Sequence, residues 1–283
     1  MKPLSDSRIL IVGLGLMGGS YAYALTAKGL EVGAISRKQS TIDYALKEGM
    51  IRHGSTEVTK EYVEKFDIIV FALYPHIFIE WIEKYQDYFK KGAILTDVTG
   101  VKGSVVYKIQ GMLRDDVEFI GAHPMAGREK SGVEYATADI FKGANYIVTP
   151  TEKNTEEGIE ICKDLGRLLG CERIKTLTPK EHDEMIGFLS QLTHCIAVSL
   201  MVCKDCEDLA DYTGDSFRDL TRIANINDEM WSELFILNKE ELLAQMDLFM
   251  DRFSKLKDYI ENEDVSGMRE MMKLSTERRE RFG

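Results

Sequence analysis

Arg8-Ile-Leu-Ile-Val-Gly-Leu-Gly-Leu-Met-Gly-Gly-Ser20 decides the fold, because it reads as a buried strand running into a glycine turn and then a helix. The branched apolar residues before Gly13 suit a strand covered on both faces, and Tyr21 to Ala27 continue with helix formers until Gly29 closes the segment. In such a turn Gly13 permits the tight bend, Gly15 lets the backbone approach a pyrophosphate, and Gly18 lets the helix pack on the strand it has left. Leu14, Leu16 and Met17 complete the segment, so Gly13 to Gly18 form the expected dinucleotide-binding turn. The free N–H groups of the helix N-terminus then face the phosphates.

The second strand, Glu31 to Ile35, ends in Ser36-Arg37-Lys38. An acid at this place would accept hydrogen bonds from the ribose hydroxyls of NAD. A hydroxyl followed by two cations repels no 2′-phosphate, and the Arg37 guanidinium can grip one with a charge-assisted fork. These residues favour NADP over NAD; the plainer alternative is a solvated strand end.

Further apolar runs of strand type are Asp67 to Leu73, Ala93 to Val98, Val117 to Ala122 and Ala144 to Thr149, with helical segments between the earlier ones. That alternation means a parallel, doubly wound sheet with right-handed crossovers. Leu73, at the end of its run, joins the cofactor-binding set. Beyond about Thr176 only helical patterns follow, opened by Pro179-Lys-Glu-His-Asp183. The expected organisation is an α/β Rossmann-type domain over 1–176 and an all-helical dimerisation domain over 177–283. Leu242, Met246, Phe249, Phe253 and Leu256 recur at helical spacing, widened by Leu243 and Met250, and such a stripe needs a partner surface. Intradomain core is one way to cover it, and a homodimer is the sharper expectation.

With 283 residues there is room for two cores, and 44% hydrophobic with 29% charged residues is a globular composition. A net charge of −11 argues against a nucleic-acid surface. The five cysteines are odd in number, and Cys203-Lys-Asp-Cys206 has no second pair, so reduced thiols and no metal site are expected. Met185 to Cys203 is the long apolar run, but Ser190, Gln191, Thr193 and His194 interrupt it, as suits a buried helix better than a membrane span. The opening Met1-Lys-Pro-Leu-Ser-Asp6 lacks the apolar core of a signal peptide, from which a cytoplasmic location is expected.

His123 stands where Val117 to Ala122 ends, and ligands of open α/β sheets sit beyond the carboxyl ends of the strands. A neutral imidazole there can accept a proton from an alcohol while hydride leaves for a nicotinamide. His194 follows Gln191 by three residues, which puts two polar side chains on one face of an apolar helix, bonded either within the fold or to a ligand. His53, His76 and His182 carry no such context. In Gly214-Asp-Ser-Phe-Arg-Asp-Leu-Thr-Arg-Ile-Ala224, Asp215 or Ser216 can cap a short helix from which Arg218 and Arg222 project on one side. Two such arginines form either a bidentate carboxylate clamp or ion pairs with nearby aspartates.

These segments together resemble the prephenate dehydrogenase family of tyrosine biosynthesis, over nearly the whole chain. The carriers are the glycine motif, Thr96-Asp-Val-Thr-Gly-Val-Lys102, Gly121-Ala-His-Pro-Met-Ala-Gly-Arg-Glu-Lys-Ser-Gly132, His182-Asp183 with Ser190-Gln-Leu-Thr-His194, and Phe217-Arg-Asp-Leu-Thr-Arg-Ile-Ala224 leading to Met230-Trp231. The resemblance implies oxidative decarboxylation of prephenate to 4-hydroxyphenylpyruvate. It matches His123 to the histidine that polarises the ring hydroxyl, Arg222 to the arginine that holds a substrate carboxylate, and Glu129 and His194 to residues lining the pocket. Two places depart from the family's usual pattern. Gly100 stands where a serine is common, so that Thr99 is expected to supply the hydroxyl from the neighbouring position. Gln191 and Thr193 stand in what is commonly Ser-His-x-Pro-His. Arogenate, the amino analogue, is the alternative substrate. The rival classes are a 3-hydroxyacid dehydrogenase, which would carry its catalytic lysine in the helical half, and a non-catalytic NADP-binding sensor.

Overall fold

The computed structural model describes residues 4–128 and 130–282. The first half contains β1 (Arg8–Val12), α1 (Leu16–Ala27), β2 (Glu31–Ile35), α2 (Gln39–Lys47), β3 (His53–Ser55), α3 (Lys60–Val63), β4 (Ile68–Phe71), α4 (Pro75–Tyr85), β5 (Ile94–Asp97), α5 (Gly103–Met112), β6 (Glu118–Phe119), β7 (Gly121–Pro124), β8 (Asn145–Thr149), α6 (Glu156–Leu168) and β9 (Arg173–Thr176). The second half contains α7 (Pro179–Ile186), α8 (Leu192–Val202), α9 (Leu209–Tyr212), α10 (Asp215–Thr221), α11 (Asp228–Leu237), α12 (Lys239–Glu261) and α13 (Val265–Arg279).

The main sheet has the order β3-β2-β1-β4-β5-β6, every pair parallel. Strand order reverses between β1 and β4, the switch point where open α/β sheets bind ligands. Val12 pairs with Phe71 and Phe71 with Asp97, so the carboxyl ends of β1, β4 and β5 lie level. Two apolar clusters cover the faces of the sheet. One unites α1 and α2 with the region of β7, β8 and α6; the other unites α4 and α5 with Leu234 of α11. This double covering is why β4 and β5 are buried at every position.

The expected run Val117 to Ala122 is not one strand. It breaks at Ile120 into β6, the last strand of the parallel sheet, and β7, which pairs antiparallel with β8 in a second sheet completed by β9. Gly121 makes the crossing possible, since a Cβ there would lie 2.4 Å from Thr149 Oγ1 and 2.8 Å from Val106 Cγ2. His123 therefore lies within a strand, opposite Ile147, rather than after one. The short, polar β3 and β9 lack the apolar signature on which the sequence reading relied.

Thr178 opens α7 with a capping box closed by Glu181. The helix continues through a π turn, Gly187–Gln191, into α8. The whole run Pro179–Val202 is long and apolar enough to cross a membrane by length and composition. Its first turns nevertheless bond to the Rossmann half through His182 and Asp183. On α12, Leu242 is buried, whereas Leu243, Met250 and Phe253 are exposed, as are Met272 and Leu274 of α13. The stripe expected from the sequence is thus only partly core.

Candidate active site

The glycine turn is built as its residues require. Gly13 has φ +96°, and a Cβ there would meet Ala72 O at 2.5 Å and Leu73 Cδ2 at 2.8 Å. Gly18 touches the turn itself, its Cβ position lying 1.9 Å from Gly13 O. Gly15 precedes α1 with no side-chain cap, and a Cβ on it would meet nothing within 4 Å. Uncapped N–H groups facing open space beside a switch point fit the pyrophosphate of a dinucleotide. Ser36 is half-buried at the end of β2, while Arg37 and Lys38 are exposed just before α2.

Two strands across from the turn, about 10 Å at the usual strand spacing, the carboxyl end of β5 carries a buried polar network. Lys102 and Asp97 are both fully buried, with Nζ 2.6 Å from Oδ2. Asp97 Oδ1 accepts the backbone N–H of Ala122, the residue before His123, and Oδ2 accepts that of Thr99. Burial pulls Lys102 below its ordinary lysine range, and Asp97 opposes the shift.

His123 closes this corner. Its Nδ1 lies 2.9 Å from Nε2 of His182, whose own Nδ1 lies 2.7 Å from Oδ1 of Asp183. Asp183 in turn accepts the backbone N–H groups of Lys102 at 2.8 Å and Gly103 at 2.7 Å, so an acid of the helical half caps α5 of the Rossmann half. Desolvation, followed by the charges of His182 and Lys102, holds His123 well below the ordinary histidine value. Burial lowers His182 as well, against the pull of Asp183. A neutral, partly exposed imidazole beside the switch point is a proton acceptor ready for use.

The helical wall differs in part from expectation. Gln191 is fully buried and structural: it donates to Leu234 O at 3.0 Å and accepts from Asn238 Nδ2 at 2.7 Å. His194 parts company with it, stacking on Trp231 with ring centroids 3.7 Å apart while Nδ1 donates to Ser190 O. The π turn between α7 and α8 ends at Gln191, and His194 belongs to the α-helical turn that follows. Gly214, not Asp215 or Ser216, precedes α10, and the helix ends at Thr221. Arg218 is exposed on it, and Arg222, also exposed, opens a 3₁₀ turn, Arg222–Ala224, that packs on α8. Glu129 lies outside the described residues.

Thr99 is placed differently from its expected role. Its hydroxyl bonds to Asp97, Val101 O and Lys102 Nζ, all within the buried network. Gly100, by contrast, faces His123. The sequence reading gave no role to His182, Asp183, Asp97 or Lys102. The pairing of His182 with His123 spans 59 residues, so no local signal could announce it.

A dinucleotide turn, a neutral histidine across the switch point and a helical domain closing the cleft define a two-domain nicotinamide-dependent dehydrogenase. Residues 21–175 match the nucleotide-binding domain of prephenate dehydrogenase and residues 178–274 its dimerization domain. The chain belongs to the prephenate dehydrogenase family. It is 29% identical to a prephenate dehydrogenase of Bacillus subtilis over 99% of this chain and 77% of that protein. It is 27% identical to a cyclohexadienyl dehydrogenase of Zymomonas mobilis over 96% of this chain and 94% of that protein. Among solved structures, the prephenate dehydrogenase of A. aeolicus in complex with hydroxyphenyl propionate and NAD+ superposes with a TM-score of 0.89, at 32% identity and full coverage of both chains.

Proposed function

We propose that this dehydrogenase oxidises and decarboxylates prephenate to 4-hydroxyphenylpyruvate, with His123 as the proton acceptor and NADP as the preferred cofactor. The observation that carries the reading is the neutral His123 held across the cleft from the glycine turn. The nicotinamide supplies a hydride acceptor when bound. His123 Nε2 takes the proton of the ring hydroxyl as hydride leaves the carbon bearing it, giving a ring ketone. The ring carboxylate then departs as carbon dioxide, its bonding electrons complete the aromatic ring, and the phenolate oxygen recovers the proton from His123. Every proton taken is thus returned, and the net oxidation equals one hydride.

Arg222 anchors a substrate carboxylate in this reading, from the 3₁₀ turn that packs on α8. Ser36, Arg37 and Lys38 supply the preference for NADP, and the helical half pairs with a second copy of the chain. Arogenate is the second reading, supported by a Methanocaldococcus jannaschii relative named a probable arogenate/prephenate dehydrogenase. Steady-state rates with prephenate and arogenate, each with NAD and NADP, test all of this. Turnover of neither substrate would overturn the proposal, and a higher kcat/KM with arogenate would move it to the second reading.

A further inference from the structure

We propose that Asp183 is a positioning residue, which through His182 dictates that His123 presents an unprotonated Nε2 to the cleft, and does so only when the helical domain is docked on α5. The proposal deepens the reading of His123 as proton acceptor and rests on it.

The hydrogen positions follow from the partners. Asp183 is a carboxylate whose Oδ1 meets the N–H of Lys102 and whose Oδ2 meets that of Gly103, so it acts only as an acceptor. His182 Nδ1, 2.7 Å from Oδ1, must therefore carry a hydrogen. A fully buried His182 beside the Lys102 ammonium stays neutral, which leaves its Nε2 with a lone pair. That lone pair, 2.9 Å from His123 Nδ1, accepts the hydrogen of His123. One hydrogen per neutral ring remains, so Nε2 of His123 is bare. The charged and titratable groups facing this chain are Asp97 and Lys102 from the β5–α5 side and Asp183 from α7.

The same carboxylate is a domain tie, and it is not alone. Glu233 of α11 accepts the backbone N–H and Nδ1 of His76, each at 2.8 Å, at the start of α4. Asp183 and Glu233 thus hold the N-termini of α5 and α4, the helices that follow the neighbouring strands β5 and β4. Only Asp183 connects the docking to the proton.

The test is histidine-selective ¹⁵N NMR of the intact protein, which reads the tautomer directly, combined with kinetics of Asp183→Asn and Glu233→Gln. The wild type should show His123 as the Nδ1–H form. In Asp183→Asn an NH2 at the Oδ2 position would face only the N–H of Gly103, donor against donor, whereas at the Oδ1 position it can donate to His182 Nδ1, reversing the chain of donors. The Nε2–H form of His123 should then appear, and kcat should fall by about 10²–10⁴ with KM changed less than about threefold. Glu233→Gln weakens a tie without touching His123 or His182 and should leave the tautomer of His123 as in the wild type. An Nε2–H His123 in the wild type would overturn the proposal, and this needs no variant to fold. So would a loss of kcat in Asp183→Asn with the tautomer unchanged, which would make the residue merely structural. A wild-type tautomer as stated, with His123→Asn retaining its kcat, would instead refute His123 as proton acceptor and leave the assignment of the hydrogens intact.

Discussion

Gly100 faces the imidazole of His123: a Cβ built on it would lie 3.9 Å from Cε1, with Leu234 Cδ1 at 3.6 Å. Both are ordinary van der Waals contacts, so the loop has room for the serine that is common at this place in the family. Thr99 does not replace that hydroxyl, because its own is tied to Asp97, Val101 and Lys102.

Gly100→Ser is therefore expected to fold as well as the wild type and to raise kcat/KM by placing a hydroxyl beside the reacting oxygen. Gly100→Ala should share the stability, neutral or gaining roughly 0.4–1 kcal/mol from reduced unfolded-state freedom, without the kinetic gain. Melting curves and steady-state rates of the two variants distinguish packing from chemistry. A serine variant slower than the alanine variant would mean that no substrate hydroxyl lies there.

The rate should depend on pH with a definite sign. His123 works as a neutral base, so kcat falls as pH drops through its pKa in the complex. Burial, with the charges of His182 and Lys102, holds the pKa of His123 in the free protein well below the ordinary histidine range, so kcat/KM should persist to lower pH than a solvent-exposed histidine would permit. His123→Asn should lose about 10²–10⁴ in kcat together with the acid limb. A variant that kept the same limb would assign the titration to another group.

At the other end of the cleft, Ser36→Asp combined with Arg37→Gln should shift preference toward NAD, because the new carboxylate repels a 2′-phosphate and the guanidinium fork is gone. The ratio of kcat/KM for NADP over NAD measures it. If the unaltered protein already uses NAD more efficiently, the strand-end reading fails at once.

The parts legible in the sequence were those with a local signature. The glycine turn follows from a strand, three glycines and a helix in direct succession, and His123 from a histidine at the end of an apolar run. The break at Ile120 was not legible, because what splits β6 from β7 is the close approach of Thr149 and Val106 to Gly121, residues far away in sequence. Asp183 and Lys102 were missed for a related reason. Each is a common surface residue by type, and only the packing of α7 on α5 makes one a helix cap and the other a buried ion.

That buried ion pair gives a stability prediction. Lys102→Met leaves Asp97 a carboxylate in a dry site with its ammonium partner removed, and losing one member of such a pair costs about 3–5 kcal/mol. Denaturant unfolding should show a large drop in midpoint. Lys102→Arg should not rescue it, since full burial leaves no room for the longer planar group. A midpoint within error of the wild type would show the pair to be dispensable.

The assembly prediction rests on what the helical half leaves uncovered. Met185, Phe188 and Leu189 on one run, Leu243, Met250 and Phe253 on α12, and Met272 and Leu274 on α13 are each more than 40% exposed in the single chain. Soluble surfaces carry scattered apolar residues, but so many large ones within a few helices make a patch that water disfavours. The match of residues 178–274 to a dimerization domain supplies the partner, a second copy of this chain. A two-fold interface uses the same surface patch of both copies, so one substitution acts twice. Phe253, 63% exposed on α12, stacks within its own chain on Phe249 of the same helix, and Phe253→Asp should leave the fold intact while burying two carboxylates in the interface. Light scattering at low micromolar concentration should give twice the 32.1 kDa chain mass for the wild type and a concentration-dependent lower mass for the variant. A wild type that scatters as one chain would remove the dimer, and a variant that stays dimeric would move the interface off this face of α12.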